Sequence, residues 1–151
     1  WIKPNFLWMM YRCGWATKRD QERVLAVLLS WEGLEAILDQ AVPSSFQRER
    51  FEDKDSWRLA MATSQARVQW DPDRTLGGGR LPRRAIQLGI KGRLTEAYAT
   101  RWALRIVDIT DRVRAMDEAR ARGEALVPDE GIVAVPDRIR PALLAAGADS
   151  G

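Results

Sequence analysis

A chain of 151 residues, 46% hydrophobic and 30% charged, has the make-up of one soluble globular domain that buries roughly 70% of its unfolded surface. Its 24 basic residues, 20 of them arginine, stand against 21 carboxylates, which leaves a net charge of +3 and no histidine. These counts exclude His-based triads and, with Cys13 as the single cysteine, an internal disulfide and the ligand spacings of zinc and iron–sulfur sites.

No apolar run approaches the ~20 residues of a membrane span, and no signal-peptide pattern occurs, so a cytoplasmic protein with no membrane or metal is expected. The opening at Trp1 rather than Met reads as an N-terminally truncated chain.

In chain order, Lys3-Pro4 restricts the backbone ahead of Asn5, which can cap a short helix running to about Arg12. Gly14 suits the left-handed position that ends it. Phe6, Leu7, Trp8, Met9 and Met10 make this helix apolar almost all round, which predicts burial. After the polar turn Thr17–Gln21, the stretch Arg23–Leu29 holds a continuous apolar run of strand length. It reads as a central strand covered on both faces.

Ser30 can cap a helix to about Ala41 with Leu34, Ile37 and Leu38 on one stripe, ended by Pro43-Ser44-Ser45. Gln47–Lys54 is mixed in charge and expected to be exposed. Asp55 or Ser56 can cap a short helix through Met61. Arg67–Asp71 alternates, with Val68 and Trp70 on one face and Arg67, Gln69 and Asp71 on the other. Asp71-Pro72-Asp73 and Gly77-Gly78-Gly79 suggest a long connection. Arg84–Ile90 alternates again, turning Ile86, Leu88 and Ile90 to the core and Ala85, Gln87 and Gly89 away.

A helix over Leu94–Leu104, a short strand over Ile106–Ile109 and a helix over Asp111–Arg122 follow, the last capped by Thr110 and stopped by Gly123. Beyond it, Pro128, Pro136, Pro141 and an Ala/Gly-rich end suggest an extended tail. The expected organisation is an α+β domain over 1–123, a small mainly antiparallel sheet with packed helices, and a tail over 124–151.

Neither a G-x-x-x-x-G-K-[ST] loop nor a strand–glycine–helix dinucleotide fingerprint is present. What remains is polar groups beside aromatics. Trp8 and Arg12, four apart, can stack guanidinium on indole. Tyr11, Arg12 and Trp15 either border a cleft at the helix exit or are core aromatics with satisfied polar ends. On the paired strands, Gln87 between Ala85 and Gly89 leaves room for a ligand or for a packed helix, with Gln69 and Asp71 on the same face. Asp108 is most simply a turn or capping residue. The candidate binding set is Lys3, Tyr11, Arg12, Trp15, Gln69, Asp71, Arg84 and Gln87, with no catalytic residue assigned. The densest basic cluster, Arg80, Arg83 and Arg84 with Lys91 and Arg93 beyond, is either a solvated loop rim or an RNA-binding patch acting with exposed tryptophans.

The runs Trp1-Ile2-Lys3-Pro4, Phe6-Leu7-Trp8-Met9-Met10-Tyr11-Arg12, Gly14-Trp15 and Gln21-Glu22-Arg23-Val24-Leu25-Ala26 resemble domain-of-unknown-function family 4291. Val68-Gln69-Trp70-Asp71-Pro72, Ile86-Gln87-Leu88-Gly89 and Asp108-Ile109-Thr110 extend the resemblance over about the first 110 residues. It implies a further N-terminal segment ahead of Trp1 and no transferable reaction. The order of elements is in turn similar to the ADP-ribosyltransferase architecture, in which an aromatic wall faces nicotinamide and a strand-borne glutamate supports the cationic ribose. That similarity implies NAD or a related small nucleotide as ligand, with Gln87 at the glutamate's position. A non-catalytic RNA-binding module and a structural or interaction domain are the alternatives.

Overall fold

The computed structural model describes residues 1–140 and 143. Five α-helices and two small, mostly antiparallel sheets make up the regular structure of those residues. Helix α1 (Phe6–Cys13) ends at Gly14 in the left-handed conformation, φ 57°. Strand β1 (Leu25–Leu29) pairs antiparallel with β5 (Ala103–Asp108) as a two-stranded ribbon. Helix α2 (Trp31–Asp39) begins where the Ser30 hydroxyl accepts the Gly33 N–H.

The larger sheet has the order β2 (Ala41–Pro43), β3 (Ala66–Arg74), β4 (Arg80–Ile90), with β2 parallel and β4 antiparallel to β3. Helix α3 (Lys54–Thr63) joins β2 to β3. A short α4 (Arg93–Ala97) runs into a π-helical turn, Tyr98–Trp102, ahead of β5. Helix α5 (Thr110–Ala121) follows.

Two apolar clusters fill the interior. In the first, the Val68 and Leu88 face of the large sheet packs on Ile37 and Leu38 of α2, with Leu94, Trp102 and Ile139. In the second, Met10 and Cys13 of α1 meet Trp15, Ala16, Val24 and Val113 of α5. Alternation along β3 and β4 thus selects the core face as the residue types predict.

Several expectations give way. The apolar run at 25–29 is not a covered central strand: β5 is its one partner, and Leu25 and Leu28 are 55% and 60% exposed. Apolar composition favours an extended backbone but does not set how many neighbours a strand acquires. The helix expected to reach Ala41 stops at Asp39, because Ala41–Pro43 pairs with Ala66–Val68. The helix expected over 94–104 breaks up earlier, as the Trp102 ring seats against Gly33 and Ala103 starts β5. Helix α3 is capped by Asp53, whose carboxylate accepts the Ser56 N–H at 2.7 Å while Ser56 completes the capping box.

The supposed long connection after Asp71 is mostly strand. Pro72 stays in β3 because its nitrogen faces the sheet edge beyond β2, where no ladder donor is needed. Only Thr75–Gly79 form the turn, closed by Thr75 N–H to Gly79 C=O at 2.9 Å. Gly78, at φ 86°, lies under the Tyr11 ring, 2.9 Å from where a Cβ would stand. Residues 124–135 contain no helix or strand, yet Val127 packs on the second cluster, and Ile139 is buried in the first. Residues 141–142 and 144–151 of the expected tail lie outside the described residues.

Candidate functional site

The face of the large sheet opposite its core presents Arg67, Gln69 and Asp71 from β3 beside Gly89, Gln87 and Ala85 from β4. Asp71 accepts the Gln87 amide Nε2–H at 2.8 Å and the Gln69 Nε2–H at 3.4 Å. Two amides thus hold one carboxylate on the middle of the face.

The first residues of the chain complete it. Ile2 and Leu88 exchange both backbone hydrogen bonds, 2.8 and 2.9 Å, on the free edge of β4. An antiparallel bridge there sets Trp1 beside Gly89 and Lys3 beside Gln87, with side chains on the amide face. The Trp1 ring indeed covers Gly89, 3.1 Å from where a Cβ would stand. A cavity of about 210 Å³ lies at this end, lined by Trp1, Gln65, Arg67, Gly89, Ile90 and Lys91.

Lys3 Nζ sits 5.9 Å from the Trp8 ring centroid, the position the sequence suggested for Arg12. Burial pushes the Lys3 pKa down, and the nearby Arg12 guanidinium adds to the depression. Among the described residues Lys3 has no carboxylate partner within ion-pair distance. A half-buried cation without a counter-ion is poised to accept an anion.

The other candidates go elsewhere. Tyr11 donates its hydroxyl to Leu76 C=O, meets Trp15 edge-to-face at 5.8 Å, and shares the Arg120 guanidinium with it. Trp15 is 4% exposed, within the second cluster. Neither ring makes a hydrogen bond or ring contact with Gln69, Asp71 or Gln87. Arg12 is exposed and bonds the Gln21 amide.

Arg84 lies across from Pro72, on the Trp70 and Ile86 side of the sheet, and lines a different cavity. The arginines considered for RNA are divided. Arg83 is engaged by the fully buried Asp73 at 2.7 Å, with Glu130 at 3.7 Å, while Arg84 turns to the other cavity. Among the described residues no cluster of His, Cys, Asp or Glu has the number of ligands to hold a metal, and no helix is long and apolar enough to cross a membrane.

Gln69, Asp71 and Gln87 thus share one face as their alternation predicts, Trp8 stacks with Lys3 rather than Arg12, and Trp1 and Arg67, which the candidate set leaves out, border the same face. The signal for Trp1 was present: polar or aromatic residues flanking Ile2 alternate as a strand does.

The sequence profile of the family described as Domain of unknown function (DUF4291) matches residues 1–133, which include every residue of this face. No curated protein and no solved structure matches the chain. A profile that spans most of the chain and takes in both sheets and all five helices settles its kinship: it belongs to the DUF4291 family.

Proposed function

We propose that the Lys3–Gln69–Asp71–Gln87 face binds a nucleotide of the NAD class. What carries the reading is the meeting, on one half-buried sheet face, of a lysine without an ion-pair partner among the described residues and an amide-held carboxylate. Lys3 and Arg67 supply charge for a pyrophosphate, and Asp71 with the two glutamines supplies acceptors and donors for ribose hydroxyls. Trp1 over Gly89 offers a flat surface for a base.

The same arrangement supports an ADP-ribosyltransferase-like chemistry. Cleavage of the glycosidic bond of NAD sends the electron pair to nicotinamide and leaves positive charge on the ribose. An amide at Gln87 cannot balance that charge, but the Asp71 carboxylate, 2.8 Å away, can.

Thermal unfolding of the full chain with NAD, ADP-ribose and AMP at millimolar concentration tests the proposal. Saturation at 100 times the dissociation constant adds ~2.7 kcal/mol, and Lys3→Gln and Asp71→Asn each reduce that gain. No shift with any of the three, or a shift that both variants retain, refutes it.

A further inference from the structure

On the opposite side of the sheet a second cavity, about 280 Å³, opens at the edge of β3 just beyond the end of β2. Pro43, Ser44, Ser45, Val68, Gln69, Trp70 and Arg84 line it, so its walls hold one cation and no carboxylate. Among the described residues Arg84 makes no ion pair or hydrogen bond, although Arg83 beside it is held by Asp73. The hydroxyls of Ser44 and Ser45 are likewise without a partner among those residues. The indole N–H of Trp70 is buried with no acceptor.

The backbone adds a further donor. The β2–β3 ladder ends where Ser44 N–H donates to Val68 C=O at 2.8 Å. Alternate residues of a strand turn their N–H and C=O groups to the same edge, so the Trp70 N–H faces this opening too. A half-buried guanidinium, two hydroxyls and the Trp70 backbone N–H thus border one small polar hollow, and each of them can donate to an acceptor bound there.

We infer that this cavity binds a phosphate dianion through Arg84, with Ser44 and Ser45 as hydrogen-bond donors, the phosphate being free or carried by a nucleotide. Arginine's planar fork matches phosphate oxygens, and serine hydroxyls fill the remaining positions. The site uses a different cation from the proposed nucleotide face, and inorganic phosphate tests it without any nucleotide.

The experiment is thermal unfolding and calorimetric titration of the full chain with inorganic phosphate, against sodium chloride of equal ionic strength. Phosphate is expected to raise the Tm where chloride does not, and Arg84→Gln to weaken phosphate binding by at least about tenfold. An equal shift with chloride, or full phosphate affinity in R84Q, overturns the inference. If R84Q loses its circular-dichroism signature, the solvent-side variant Ser44→Ala/Ser45→Ala decides instead. A several-fold loss of affinity there supports the site, and unchanged affinity overturns it. Competition identifies the source: displacement of phosphate by AMP but not adenosine assigns the site to a nucleotide's phosphoryl group, and no displacement by AMP assigns it to the free ion. Because Lys3→Gln leaves this cavity intact, loss of NAD binding in K3Q with phosphate binding retained separates the two proposals.

Discussion

At the end of β5, Asp108 Oδ1 accepts both the Thr110 hydroxyl at 2.6 Å and the Thr110 N–H at 3.0 Å, while Oδ2 takes the Arg23 guanidinium. Thr110 passes the connection on, its Oγ1 accepting the Val24 N–H at 2.9 Å. The start of α5 is therefore fastened to the start of β1 by one short chain of hydrogen bonds. The cap expected from Thr110 is not made: Ile109 stands at the N-cap without a side-chain bond, and Thr110 is the first residue of the helix, its N–H donated to Asp108. The Thr110 hydroxyl first, then Arg23, hold the Asp108 carboxyl well below the usual carboxylate range. A carboxyl whose folded pKa lies under its unfolded value of about 3.9 adds stability that is fully present above that value. The contribution is lost as pH falls towards the folded pKa. Asp108→Asn should accordingly lower the Tm at pH 7, and the gap to the parent chain should close progressively below about pH 4. A gap that stays constant from pH 7 to pH 2.5 would show that the charge is not what matters.

Among the elements, α2 depends on a missing side chain. A Cβ on Gly33 would stand 2.5 Å from Trp102 Cγ, so helix and indole meet at a distance that only glycine permits. Alanine is the better helix former by about 1 kcal/mol, yet overpacking a filled core costs about 1–3 kcal/mol. Gly33→Ala should therefore lower the urea midpoint with the m-value unchanged; a midpoint equal to or above the parent's would contradict this packing. The same contact explains what the sequence concealed. A glycine inside a helical pattern does not name the ring it receives, and the Leu94–Leu104 pattern gives no sign that Trp102 will stop the helix.

Where spacing alone decides the outcome, reading was reliable: β3 and β4 divide into a core face and an amide face as their alternation dictates. Helix α1 is the contrary case. Being apolar nearly all round, it carries no mark of which side meets the sheet and which meets α5. Tyr11 and Trp15 could thus be grouped with Gln87 on paper and still pack under Arg120.

Across the whole molecule, the chain after α5 returns to close both clusters. The Phe6 N–H donates to Glu130 Oε1 at 2.6 Å, Val127 joins the second cluster, and Arg138 reaches Glu35 at 3.3 Å. Ile139, 1% exposed, sits among Ile37, Val68 and Leu88. Composition could not foretell this, because proline and glycine mark breaks in helix and strand while burial follows from where one isoleucine lands. Ile139→Ala should cost about 2–5 kcal/mol in urea unfolding, as for other buried Ile-to-Ala changes. Ile132→Ala, at a fully exposed site in the same segment, should fall within about 0.5 kcal/mol of the parent. Equal small effects at both positions would mean the segment is not part of the core.

Trp15 is buried in one interior and Trp102, with Trp70 packed against the same cluster, in the other, while Trp1 and Trp31 meet solvent. Each interior therefore has its own fluorophore. Denaturation exposes these indoles to water and shifts their emission to the red, and variants that keep Trp15 or Trp102 as the one shielded indole would reveal whether the halves melt together or in succession.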